Sequence, residues 1–372
     1  MDRTDLFSPL SRDEVTAAVE GGDPPRIPLV RAKWWGEGLE EQYGDELARF
    51  DHIPEDVVQI LIENPVDPTR MNLSWEWHAD GAHDSRVVID DWSKLDEFIE
   101  KLPDPATDPV WEELEAKAAA AHRDGRYLLW GFWNLFFERP WMLRGMQNLM
   151  IDYYIEAENV RRLHDAMADQ YIRYAEEAAR RLHPDGFWTS DDLGHQTGPM
   201  MSPAIFHDLL YPYYCRVGEA LHAAGMHFWL HSCGDNTLLL PDLIDAGADV
   251  FHPVQKHTMD ERSVVEQFGG RITFLAGLDV QHVLQEASPD GVRDEVRFLI
   301  DTFDRADGRM CIAAGNGIVG GTPIENIEAF LDEAIRYGAR HRRPPRPSRC
   351  RTQWILVRNA LPVDRVRTEV DA

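Results

Sequence analysis

The run Met226-His227-Phe228-Trp229-Leu230-His231-Ser232-Cys233-Gly234 decides the fold, because it is a short apolar strand that stops abruptly in two soft metal ligands. Side chains at i and i+2 of an extended segment share a face and lie about 6.6 Å apart along the chain. The His231 imidazole and the Cys233 thiol can therefore converge on one ion, and zinc accepts that ligand mix. A hydrogen-bonded histidine beside a small buried cysteine would use the same two residues, so the surroundings must decide between the readings.

Residues 127–133, 186–191, 250–253, 272–277 and 310–315 repeat the pattern of 226–233: each is short, largely apolar and followed by a helical stretch. Strands covered on both faces read this way, which predicts a parallel sheet with crossover helices. Ser202-Pro203, Ser288-Pro289 and Thr322-Pro323 each put a capping hydroxyl before a proline suited to a first helical turn, and Glu325 offers a capping box to Thr322. Residues 158–182 read as one long surface helix.

The first 125 residues are less regular. Residues 27–31 suit an opening strand, and 72–77 followed by 86–89 suggest a further strand or hairpin. Two early strands and six later ones predict an α/β protein, a (β/α)8 TIM barrel with an irregular N-terminal extension. The expected organisation is an extension over 1–25, the barrel over 26–338 and a basic, proline- and arginine-rich, poorly ordered tail over 339–372.

Composition limits the function classes. With 38 basic against 65 acidic residues the formal charge is −27, which disfavours a nucleic-acid backbone as partner. No apolar run approaches the roughly 18–20 residues needed to span a bilayer, and the opening Met-Asp-Arg-Thr-Asp has no basic stretch leading into an apolar one. The 4 cysteines, Cys215, Cys233, Cys311 and Cys350, are too scattered for a disulfide framework. A cytoplasmic protein with a small-molecule substrate is expected, as monomer or homodimer, with no nucleic-acid or membrane partner.

In βα barrels the working groups come from the C-terminal ends of strands. Asp191, Asp192, His195 and Gln196 follow one predicted strand, His231 and Cys233 the next, then His252 and Gln255, then Asp279 and Gln281, and finally Asn316. Five consecutive strands thus end in carboxylate, imidazole, thiol or carboxamide groups at one mouth, where a purely structural barrel needs none. Trp34, Trp35, Trp133, Phe136 and Phe137 follow candidate strands and suit either an apolar pocket or the core. Asp192 is the best third metal ligand, on the neighbouring strand; His195, His252 and Asn316 are weaker candidates.

Asp191-Asp192-Leu193-Gly194-His195-Gln196, Ser202-Pro203, His231-Ser232-Cys233-Gly234, Gly277-Leu278-Asp279-Val280-Gln281 and Gly317-Ile318 with Thr322-Pro323-Ile324-Glu325 resemble the uroporphyrinogen decarboxylase superfamily, more specifically its methyltransferase-like (methylcobamide:thiol methyltransferase) branch. Glu138-Arg139-Pro140-Trp141 resembles that branch too, and the likeness runs from about residue 26 to 338. The resemblance implies a TIM barrel. The family's decarboxylases carry a Met-Arg-Gln-Ala-Gly-Arg-Tyr signature whose arginines hold substrate carboxylates; here the region reads Val30-Arg31-Ala32-Lys33-Trp34-Trp35-Gly36, with too little positive charge for that substrate. The methyltransferases hold zinc through His-x-Cys and a later cysteine, and take a methyl group from a corrinoid protein. His231 and Cys233 match the first two ligands, and Asn316 stands where the third is expected.

The favoured reading is a zinc-dependent methyltransferase passing a methyl group between a corrinoid-binding partner protein and a small acceptor. Zinc is assigned to His231, Cys233 and Asp192, catalytic roles to Asp192, Gln255, Asp279 and Asn316, and the substrate pocket to Trp34, Trp35, Trp133, His195, Gln196, His252 and Gln281. The alternatives are a decarboxylase or related lyase of a carboxylated substrate, and a catalytically silent small-molecule binder.

Overall fold

A computed structural model describes residues 6–31, 35–77 and 86–339. The predicted tail from Arg340 onward, with Cys350, and Lys33 and Trp34 lie outside the described residues. The described residues belong to one compact unit that ends at Ala339.

Its strands are β1 (Val57–Leu61), β2 (Tyr127–Gly131), β3 (Gly186–Ser190), β4 (Gly194–His195), β5 (Gly198–Pro199), β6 (His227–His231), β7 (Val250–His252), β8 (Thr273–Leu278) and β9 (Met310–Ala314). Seven of them form a curled parallel sheet in the order β1-β2-β3-β6-β7-β8-β9, while β4 and β5 make a small antiparallel hairpin. Every residue of β2, β3, β7, β8 and β9 is buried, as expected of strands covered on both faces by helices.

Residues 28–30 close the ring between β9 and β1. Leu29 forms a parallel bridge with Ile312. The Val30 N–H donates to the Ile312 carbonyl and the Ile312 N–H to Pro28, both at 2.9 Å, while on the other side the Asp56 N–H donates to Leu29 at 3.2 Å. The predicted α/β barrel is thereby found, although residues 27–31 form no regular strand and hold the eighth position through the isolated bridge at Leu29.

The second early strand is not where the sequence suggested. It is β1, Val57–Leu61, a β-branched run that the sequence reading passed over. Residues 72–77 and 86–89 form no strand. Their apolar groups instead pack locally: the Trp75 indole N–H donates to the Val88 carbonyl at 3.0 Å, and Val88 and Ile89 N–H both donate to Leu143 at 2.8 Å.

Ser202 and Ser288 cap their helices as expected, accepting from Ile205 and Gly291 at 3.2 Å. Thr322 does not: the last helix, Ile324–Gly338, starts after Pro323, and the buried Thr322 hydroxyl has no hydrogen-bond partner among the described residues. The long helix spans Ala157–Leu182. Within the first 25 residues Arg12–Glu20 is itself a helix, opened by a Ser11/Glu14 capping box. It lies across the N-terminal end of the barrel, where its Val19 carbonyl accepts from Thr273 Oγ1 at 2.7 Å and from Arg309 Nη1 at 3.1 Å. Among the described residues no helix is long and apolar enough to cross a membrane.

One buried ion pair holds the seam. Arg26 Nη1 and Nη2 donate to Asp56 Oδ2 and Oδ1 at 2.5 and 2.7 Å, and the same carboxylate accepts the Leu10 and Leu29 N–H groups at 2.8 and 2.7 Å. Both side chains are essentially fully buried. Removing one partner of such a pair strands the other's charge in a low dielectric. Asp56→Ala is therefore expected to cost about 3–5 kcal/mol in urea unfolding, and a loss under 1 kcal/mol would show that the seam does not depend on this carboxylate.

Candidate metal centre

Ladder hydrogen bonds continue past the ends of β3, β6 and β7 and fix the loops that follow. The Asp191 N–H donates to His231 O at 2.9 Å and the Ser232 N–H to His252 O at 2.7 Å. Asp192, Cys233 and His252 are thus held on three adjacent strand ends.

The turn after β6 is stapled from inside. Asn236 Nδ2 donates to the carbonyls of Ser232, Cys233 and Gly234 at 3.1, 3.0 and 3.3 Å. Gly234 adopts φ 83° and lies against the β4–β5 hairpin so closely that a Cβ would meet the Gly194 carbonyl carbon at 2.2 Å. Only glycine meets both demands, which explains the end of the His-Ser-Cys-Gly run. The Cys233 N–H donates to Asp192 Oδ1 at 2.8 Å, and the Gly234 N–H to Gln255 Oε1 at 2.7 Å.

This framework brings three donor atoms together. Cys233 Sγ lies 3.3 Å from His231 Nε2, and His231 Nε2 lies 3.7 Å from Asp192 Oδ1. One ligand atom from each of Asp192, His231 and Cys233 falls within 4.8 Å of the others, the group predicted from the sequence. Tetrahedral zinc, with bonds of about 2.3 Å to sulfur and about 2.0–2.1 Å to nitrogen or oxygen, has ligand-to-ligand edges of about 3.3–3.6 Å. The donor set and spacing fit that ion.

Asn316 stands beside this group without belonging to it. Its carbonyl accepts the Gly317 N–H at 2.7 Å, which fixes the orientation of the amide, so Nδ2 faces Cys233 Sγ at 3.4 Å. The sequence position expected to supply a third protein ligand supplies a hydrogen-bond donor to the second one instead.

The electrostatics are one-sided. Burial, then the charges of Asp192 and Glu138, push the Cys233 thiol well above its ordinary range, while the Asn316 hydrogen bond pulls it down. Burial raises the Asp192 carboxyl as well. Glu138, which the sequence reading gave no role, is held by Ser190 Oγ at 2.7 Å, and burial together with Asp192 and Asp191 pushes it up to about 8. Among the described residues no lysine or arginine pairs with Glu138, Asp192 or Cys233. Such a set of acids is relieved by a bound cation.

Asp191 has a different task. It accepts N–H bonds from Phe136, Phe137 and Glu138 at 2.7–3.0 Å and the Tyr214 hydroxyl at 2.5 Å, anchoring the loop after β2. Phe136 and Phe137 on that loop are core residues, fully buried.

A cavity of about 60 Å³ opens beside the donor group, lined by Cys233, Gln255, Lys256, Asp279, Gln281 and Asn316 among others. Five of these were expected there from sequence. Lys256 was not, and it is committed to Glu295 at 2.7 Å and Glu261 at 3.5 Å. Asp279 Oδ1 accepts the Gln281 and His282 N–H groups at 2.8 and 3.2 Å. Trp133 stands edge-on to His231 with ring centroids 5.9 Å apart.

Other predicted pocket residues lie elsewhere. His195 and Gln196 are exposed on the hairpin, outside the cavity lining. Trp35 bridges Ile318 and borders a separate surface depression with Arg31 and Asp51. His252 is fully buried behind His231, so it is not a pocket residue; the strand end that carries it points inward at that position. Trp34 lies outside the described residues.

The chain is a member of the uroporphyrinogen decarboxylase family: the profile described as Uroporphyrinogen decarboxylase (URO-D) matches residues 89–337. Among curated proteins it resembles a methylated-thiol–coenzyme M methyltransferase from Methanosarcina mazei, 23% identical over 190 residues, which span 51% of this chain and 48% of that protein, about half its length. A solved methyltransferase from Methanosarcina mazei superposes with a TM-score of 0.63 at 16% identity, covering 88% of this chain and 98% of the other. That likeness shows the shared barrel, and both relatives are named methyltransferases.

In metal-free protein Cys233 is expected to alkylate with iodoacetamide more slowly than a free cysteine up to pH 9, since its thiol is raised by burial and neighbouring acids. Peptide mapping by mass spectrometry measures this. A Cys233 rate equal to that of a free thiol at pH 8 would contradict the electrostatic description.

Proposed function

We infer that this protein is a zinc-dependent methyltransferase that passes a methyl group between a corrinoid carried by a partner protein and a small acceptor molecule. The observation that supports it best is the convergence of Asp192, His231 and Cys233 at the barrel mouth beside a small cavity. Three protein ligands with one side open are what a catalytic zinc site requires, whereas structural sites are closed by four.

When bound, zinc supplies a Lewis acid that favours the ionised form of an acceptor such as a thiol. The chain's own residues do the rest. Asp192, His231 and Cys233 would hold the ion. Asn316 donates to the Cys233 sulfur and so favours its thiolate form. Gln255 and Asp279, given catalytic roles from sequence, each use one oxygen to fix a mouth loop, so they set the cavity's shape. Trp133 screens His231 from water on one side.

The curated relative's printed name, a methylated-thiol–coenzyme M methyltransferase, supports methyl transfer with a thiol. A decarboxylase of a carboxylated substrate has less support: the cation of the cavity lining, Lys256, is already paired with two glutamates. The formal charge of −27 also disfavours a polyanionic substrate.

The test is metal analysis paired with turnover. Purified wild type is expected to hold close to one zinc per chain, to lose most of it as Cys233→Ser, and to move a methyl group between methylcobalamin and a small thiol only when zinc is present. Wild type that carries out the transfer without metal would overturn the proposal.

A further inference from the structure

His231 and His252 face each other through like atoms. Their Nδ1 atoms are 2.7 Å apart, both side chains are buried, and the rings lie 4.9 Å apart between centroids. The far nitrogen of His252, Nε2, is 3.0 Å from the Ala314 carbonyl at the end of β9.

A carbonyl oxygen can only accept, so His252 Nε2 carries a proton and donates it there. Two uncharged imidazoles have one N–H each. His252 has used its own on Ala314, which leaves its Nδ1 as an acceptor. The proton in the Nδ1–Nδ1 bond therefore belongs to His231. With both rings uncharged, His231 Nε2, the atom facing Cys233 Sγ and Asp192 Oδ1, presents a lone pair. The Cys233 thiol proton then has the His231 nitrogen at 3.3 Å and the Asp192 carboxylate as acceptors, while the Asn316 amide donates to the same sulfur from the other side.

We propose that His252 is a positioning residue: anchored on the Ala314 carbonyl, it fixes the tautomer and ring orientation of His231 so that Nε2 is ready to ligate a metal. The proposal rests on the metal reading of Asp192, His231 and Cys233. It concerns a residue on a different strand that is neither in the cavity lining nor among the three donor groups. Partners of this kind typically change metal affinity by about 10–100-fold when removed, because the unguided ring spends part of its time with a proton on the ligating nitrogen. A glutamine can bridge the same two neighbours, accepting from His231 through its oxygen and donating to Ala314 through its amide; a leucine can do neither.

The experiment has two parts. In metal-free wild type labelled with 15N-histidine, the ring-nitrogen shifts of His231 are expected to show Nδ1 protonated and Nε2 bare. Competition titration with a chromophoric zinc chelator is expected to show His252→Leu about 10–100-fold weaker and His252→Gln restored most of the way to wild type. A proton on His231 Nε2 in the wild type, or zinc binding by His252→Leu as tight as wild type, overturns the proposal. Should His252→Leu fail to fold, the wild-type shifts and the glutamine variant decide. Should the wild type take up no zinc, the functional reading fails, and the tautomer in metal-free protein still decides the role of His252.

Discussion

Closure of the barrel depends on a carboxylate that has no contact with the chemistry. Asp56 gathers the Arg26 guanidinium and the Leu10 and Leu29 N–H groups at the joint between residues 28–30 and β1. An open sheet of seven strands would leave its edges unpaired, whereas the closed ring directs every parallel strand toward one rim. The rim is where β3, β6, β7 and β9 deliver Asp192, His231, His252 and the Ala314 carbonyl. The convergence of donor atoms within 4.8 Å is thus a consequence of closure as much as of the residues themselves.

Around the donor group, backbone N–H groups do most of the positioning. Asp191 anchors the loop after β2, Gln255 the Cys233–Gly234 turn, Asp279 the loop after β8, and Asn316 its own turn. Polar side chains at a barrel mouth therefore serve two ends. Some face the cavity, and some use an oxygen to keep the cavity's wall in place, so that the donor atoms are positioned without a bound ion.

Much of this was legible in the chain. An apolar strand ending in His231-Ser232-Cys233 puts two donor groups on one face by two-residue periodicity, and strand adjacency adds Asp192 to the cluster. What stayed hidden was direction. The sequence places His252 at a strand end but not behind His231 rather than beside it, because whether a terminal residue looks into the mouth depends on the shear of the closed sheet. Glu138 reads as an ordinary acidic residue in a first helical turn; its raised carboxyl comes from burial beside two aspartates contributed by another strand. The early strand was misplaced because Trp75, Trp77 and residues 86–89 carry as much apolar character as Val57–Leu61, and local packing against Leu143, not the sheet, absorbs it.

Asn316 carries the sharpest consequence. As a donor to Cys233 it leaves the candidate site with one sulfur donor, where the family resemblance alone would give two. X-ray absorption at the zinc edge of zinc-loaded protein measures this directly. A single sulfur neighbour at about 2.3 Å is expected, with the remaining neighbours nitrogen or oxygen at about 2.0–2.1 Å. Two sulfur neighbours, or none, would contradict it.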